Sequence, residues 1–253
     1  MAESKSSTPP AAPEHAQSAE EHYLGVYWSS REDAAERCAQ RVERLFQSLA
    51  ACDRTLSTWY GKGWTREEAL AKPLDMRGAG LQQVFDQQAK QAGRMQGEGF
   101  SLNLWNGEER EDSTSLSLLC GEASPWLTNS CVLKTPEKLL RVPTLAQVLR
   151  AMVRAFEPEW GLATSHAHRD LVSDSAEPGT FIGWLTYFSH RRGPLPALPP
   201  CVHLEPVDTL GTLLVLTPER FTITRPDHLA LAQDVSSRLD KAGLLTPLHP
   251  ESC

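Results

Sequence analysis

His166, His168 and Asp170 stand at alternate positions in the run His-Ala-His-Arg-Asp. On an extended chain the three side chains point the same way, and two imidazoles with a carboxylate can bind zinc. A further histidine after the aspartate would complete the H-x-H-x-D-H run of metal-dependent hydrolases, but Leu171 stands there. No βαβ pattern precedes the run, and a motif counts only in its structural context. The plainer reading is a polar loop with two surface histidines, and a metal-dependent hydrolase is the alternative. Other catalytic sets are weaker still. No G-x-S-x-G elbow occurs. Tyr-Gly-Lys-Gly-Trp-Thr at 60–65 lacks the spacing of a phosphate loop and reads as a glycine turn. Cys131 and His203 are a formal thiol–imidazole pair, yet a cysteine within an apolar pattern is ordinarily a small core residue. The sequence therefore predicts no catalytic residues, no bound metal and no cofactor.

Carboxylates are the more suggestive group. Asn-Gly-Glu-Glu-Arg-Glu-Asp-Ser at 106–113 sets Glu108, Glu109, Glu111 and Asp112 against Arg110, four negative charges to one positive. A second run holds Asp170, Asp174 and Glu177 with no base after Arg169. Solvated loops explain such runs without any function. The functional reading is a carboxylate surface that meets a cationic partner. Seven tryptophans are present. Trp28, Trp105 and Trp184 fall in predicted strands, where core packing is ordinary. Trp59, Trp64, Trp126 and Trp160 fall at element ends, where one or two have the chemistry of interface anchors.

The elements that must position these residues follow from periodicity. Residues 23–28 are aromatic and β-branched, a strand. Ser30 and Asp33 give a capping signal for a helix whose Cys38, Val42, Leu45, Leu49 and Cys52 form one stripe. A short helix precedes Pro73, and Leu81, Val84, Phe85 and Gln88 mark another that closes at Gly93. Phe100, Leu102 and Leu104 alternate with Ser101 and Asn103, and Leu116, Leu118 and Cys120 alternate with Ser115 and Ser117. Period two with one polar face marks antiparallel strands covered on one side. Residues 130–134 are a third strand candidate beside them. Thr144 caps a helix through Leu145, Val148, Met152 and Phe156 that ends at Pro158. Residues 160–166 form a strand followed by a polar loop. Residues 183–189 fit a strand or a helical turn, and the proline-rich 190–200 fits nothing regular. Residues 201–207 and 212–217 make a hairpin around Asp-Thr-Leu-Gly. A last helix starts near Pro226 and stops at Gly243. Helices and antiparallel strands interleave without a repeat or linker, which predicts a single-domain α+β fold, mainly an antiparallel sheet packed with several helices. It occupies 21–246, with a disordered tail of Pro, Ala, Ser and Glu over 1–20 and a C-terminal tail over 247–253.

Bulk properties bound the function. With 253 residues, 40% hydrophobic and 23% charged, the chain can bury a sizeable core. A net charge of −7 lacks the basic footprint that phosphate-backbone binding requires, so no nucleic-acid partner is expected. No apolar run approaches the roughly twenty residues of a spanning helix, and no membrane association is expected. The start lacks the basic and apolar regions of a secretory signal. Six scattered cysteines without C-x-x-C suit a reducing, cytoplasmic setting.

The order of motifs carries a resemblance. Tyr-Leu-Gly-Val-Tyr-Trp at 23–28, Trp-Tyr-Gly-Lys-Gly-Trp at 59–64, Leu-Asn-Leu-Trp-Asn-Gly at 102–107 and Asn-Ser-Cys-Val-Leu at 129–133 come first. Glu-Trp-Gly-Leu-Ala-Thr-Ser at 159–165, Gly-Trp-Leu-Thr-Tyr-Phe-Ser at 183–189 and Gly-Thr-Leu-Leu-Val-Leu-Thr at 211–217 follow. Together they resemble the immunity protein 52 family of bacterial polymorphic-toxin systems over about residues 23–245. The resemblance implies a cytoplasmic α+β protein, encoded beside a toxin, that binds and neutralises that toxin. Some members are similar to proteins paired with type VI secreted effectors whose toxic domain has a restriction-endonuclease-like fold. It transfers no catalytic residues. Its motif positions here are Tyr27, Trp28, Trp59, Tyr60, Trp105, Asn106, Gly107, Gly183 and Trp184, in structural or contact roles. On this reading the toxin-binding candidates are Glu108, Glu109, Glu111, Asp112, Asp170, Asp174 and Glu177.

Overall fold

The computed structural model describes residues 20–248 except 62, 92 and 94, so most of both expected tails lies outside the described residues. Glu20 and Leu248, which the sequence reading placed in tails, belong to the folded part. Glu20 is hydrogen-bonded across the chain and Leu248 is buried in the core.

The described strands form one nine-stranded sheet in which every neighbouring pair is antiparallel. They are β1 (His22–Trp28), β2 (Tyr60–Gly61), β3 (Phe100–Trp105), β4 (Ser115–Cys120), β5 (Asn129–Thr135), β6 (Trp160–Ser165), β7 (Leu185–Ser189), β8 (His203–Val207) and β9 (Gly211–Val215). Their order across the sheet is β2-β3-β4-β5-β1-β6-β7-β9-β8. The helices are α1 (Ala35–Cys52), α2 (Arg66–Leu70), α3 (Gly78–Ala89), α4 (Val142–Phe156), α5 (His166–Val172) and α6 (Pro226–Lys241).

β1 lies at the centre and is covered on both faces, so nearly all its residues are buried. Leu24, Val26 and Trp28 face α4, where Trp28 stacks on Phe156 at 5.1 Å. Tyr27 faces the other way and meets Trp160 at 5.5 Å. β3 and β4 are covered on one face only, and their burial alternates as the sequence pattern requires. Ser101, Asn103 and Ser117 stand on their open face, with Ser117 Oγ donating to Asn103 Oδ1 at 2.9 Å. The ambiguous run at 183–189 is a strand, paired with β6 and β9. Pro206 sits in edge strand β8, where a missing donor is tolerated.

Three local expectations are corrected. Ser30 does not cap α1: its hydroxyl donates to the Ala123 carbonyl at 2.6 Å, and the helix begins five residues later at Ala35. Thr144 does not cap α4, which starts at Val142 with Pro143 in the first turn, where its missing N–H costs nothing. The polar loop after β6 is in fact α5. Ser165 caps it by accepting from the His168 N–H at 3.1 Å.

Candidate functional site

α5 dismantles the proposed metal set. Residues two apart on a helix point to opposite sides, so His168 turns away from His166 and Asp170. His166 stacks on Tyr23 at 4.7 Å. His168 is fully buried, with Nδ1 at 3.2 Å from Thr164 Oγ1, and burial lowers its pKa to about 4. Asp170 pairs with Arg169 at 2.7 Å. Among the described residues no three His, Cys, Asp or Glu side chains converge on a point that would hold a metal ion. Cys131 and His203 are not brought together either. Their strands lie five spacings apart, about 24 Å at the usual separation. Burial pushes the Cys131 thiol far above its ordinary range.

The two acidic runs, by contrast, come to the same end of the sheet. Trp105 pairs with Ser115, so residues 106–114 are the tip of the β3–β4 hairpin. Leu116 pairs with Leu133, His22 with Thr135, and His22 with Ser165. The start of β4, the end of β5, the start of β1 and the end of β6 are therefore flush. The hairpin tip and α5 emerge three strand spacings apart, about 14 Å.

The hairpin tip is held from inside by Asn106, which is buried. Its Nδ2 donates to the carbonyls of Thr55 at 3.2 Å and Asp112 at 3.0 Å, and its Oδ1 accepts from the N–H groups of Glu108 and Thr114 at 3.3 and 3.0 Å. Gly107 has φ +82°, and a Cβ there would stand 2.5 Å from the Tyr60 ring. Trp105 Nε1 donates to Ser113 Oγ at 3.1 Å. Outside the hairpin, Trp59 Nε1 reaches the Leu56 carbonyl at 2.9 Å and Trp184 Nε1 the Thr217 carbonyl at 2.8 Å. At Gly183 a Cβ would meet the Ala163 carbonyl at 2.5 Å. These motif residues thus shape and brace the scaffold, and several brace the acidic tip itself.

The carboxylates fall into two groups. Glu109 pairs with Arg66 at 2.8 Å and Asp112 with Lys138 at 2.7 Å, which ties the hairpin to α2 and to the segment before α4. Glu108, Glu111 and Asp174 are exposed and have no ion-pair partner among the described residues. Glu177 is half-buried, and its carbonyl accepts from the Thr180 N–H and hydroxyl.

Sequence reasoning missed Glu20, which pins this end. Burial would raise its pKa, but hydrogen bonds from Thr222 Oγ1, Ser165 Oγ and the Ile223 N–H outweigh that and lower it. No sequence pattern signals a contact spanning about two hundred residues.

No sequence among curated proteins matches the chain. Among solved structures it is similar to the Pseudomonas aeruginosa T6SS protein PA0821, with a TM-score of 0.53 at 16% identity, covering 92% of this chain and 76% of that one. That likeness is one of fold. The family model described as immunity protein 52 matches residues 20–248, nearly the whole described chain. The chain therefore belongs to the immunity protein 52 family.

Proposed function

We propose that this protein binds a cognate bacterial toxin, the product of a neighbouring gene, and silences it by covering its working surface. The observation that carries the reading is the family match across residues 20–248. Inhibition by occlusion needs a rigid surface of roughly 800 Å² and no chemistry of its own. The acidic end of the sheet suits that demand. Its loops are fastened by Asn106, by two ion pairs and by Glu20, while Glu108, Glu111 and Asp174 are exposed with no ion-pair partner among the described residues. Preorganised loops lose little entropy on binding.

The finer parts of the reading follow from the same family. In this proposal the toxin is a type VI secreted effector, in keeping with the T6SS protein that shares the fold, and its toxic domain is a nuclease of restriction-endonuclease-like fold. A nuclease must present a basic groove to its phosphodiester substrate, and an acidic edge is the complement of such a groove. The protein acts in the cytoplasm, not as an enzyme, without cofactor, nucleic acid or membrane. No helix among the described residues is long and apolar enough to cross a membrane.

The test is charge reversal at the unpaired positions. Glu108→Lys, Glu111→Lys and Asp174→Lys combined should weaken binding to the toxin at least tenfold. Most of the loss should appear in the association rate at low salt. Affinity within twofold of the wild type would remove this edge from the interface.

A further inference from the structure

α5 ends with two apolar side chains in the open, Leu171 at 58% and Val172 at 46% exposed. Beside them a cleft of about 590 Å³ runs between α5 and α6. Buried Ile182 and Ala232 help to form its apolar wall. Among the described residues that line it, Asp240 is the one with a formal charge at neutral pH, because the buried His168 is held neutral. His168 Nδ1 is taken by Thr164, and its buried Nε2 has no partner among the described residues.

We propose that this cleft receives an amphipathic basic segment of the toxin. One large apolar side chain sits between α5 and α6 against Leu171 and Val172, and a lysine or arginine lies against Asp240. The inference rests on the toxin-binding reading and adds the apolar anchor that the acidic edge lacks. Continuity supports the occupant: Leu171 and Val172 lie in sequence between Asp170 and Asp174, on the stretch already assigned to the partner. Charge supports it too, since a carboxylate without a cation in the same wall favours a basic visitor. A second copy of this chain fits poorly. A two-fold interface would bring the same cleft face, with its Asp240, from both copies together and supply no cation to either. An apolar side chain filling a pocket inside a polar rim is the arrangement in which interface energy concentrates.

The experiment titrates the full chain into the neighbouring-gene toxin, inactivated by substitution, and follows the heat of binding. Leu171→Asp with Val172→Asp should weaken binding at least a hundredfold. Gln233→Trp, an exposed cleft position that a large ring would close, should weaken it at least tenfold. All three positions are on the surface, and circular dichroism should show folds like that of the wild type. If the wild type binds and both folded variants bind within twofold of it, the cleft proposal is overturned while toxin binding stands. If the wild type itself does not bind, toxin binding fails and the cleft proposal with it. Sedimentation of the wild type as a dimer that Leu171→Asp dissociates would assign the cleft to a second copy and overturn the proposal.

Discussion

Asn106 uses its full hydrogen-bonding capacity on one turn, two donors and two acceptors satisfied in a buried site. Asn106→Ala would leave two carbonyls and two N–H groups short of a partner, and should cost about 3 kcal/mol of stability in urea unfolding. Asn106→Asp keeps the shape but points oxygen at two carbonyls, and should fare no better. His168 makes the residue scale visible through pH. Burial holds its folded pKa near 4 against 6.5 in the unfolded chain, so on acidification the unfolded state takes up the proton first. Its contribution is complete above about pH 6.5 and falls away towards pH 4, a loss on the order of 3 kcal/mol. Glu20, with a lowered carboxyl pKa, adds a loss of the same sign below its ordinary 4.5. Comparing urea unfolding at pH 4.5 and 7.0, His168→Gln should show a smaller difference than the wild type; an equal difference would remove His168 from the acid response. His22, also buried with a lowered pKa, keeps that difference above zero.

α5 shows what one cap can do at the scale of an element. Ser165 accepts from the His168 N–H and donates to Glu20 Oε2 at 2.8 Å, so one hydroxyl starts the helix and ties it to the beginning of β1. Ser165→Ala should cost about 1–2 kcal/mol, read as a lowered urea midpoint with unchanged slope. The same helix marks where the sequence misleads. His166, His168 and Asp170 suggest a converging set only if the chain is extended, and the serine before them is the sole local sign that it is not. β3 and β4 were legible because one face of each meets water and the alternation survives. β1, β6 and β7 are buried on both faces and lose that alternation, so they show only as apolar or aromatic runs. The acidic hairpin tip was legible as a polar turn between two alternating strands. The α5–α6 cleft was not, because its walls come from 168–182 and 229–245 and no local pattern couples them.

At the scale of the whole molecule, antiparallel register turns two distant acidic runs into one edge. The hairpin tip and α5 are separated by more than fifty residues, yet the flush ends of β4, β5, β1 and β6 set them about 14 Å apart. Residue 20, where the family match begins, is itself bonded into this edge. A molecule built to cover a partner should act in proportion to its amount, whereas one that alters its partner chemically should act in turnovers. The most direct measurement is therefore the activity of the purified toxin titrated with this protein. We expect activity to fall linearly to zero at one protein per toxin, with the toxin recovered intact after the complex is dissociated. Full toxin activity at a tenfold excess, or its loss at a small fraction of one equivalent, would contradict the account.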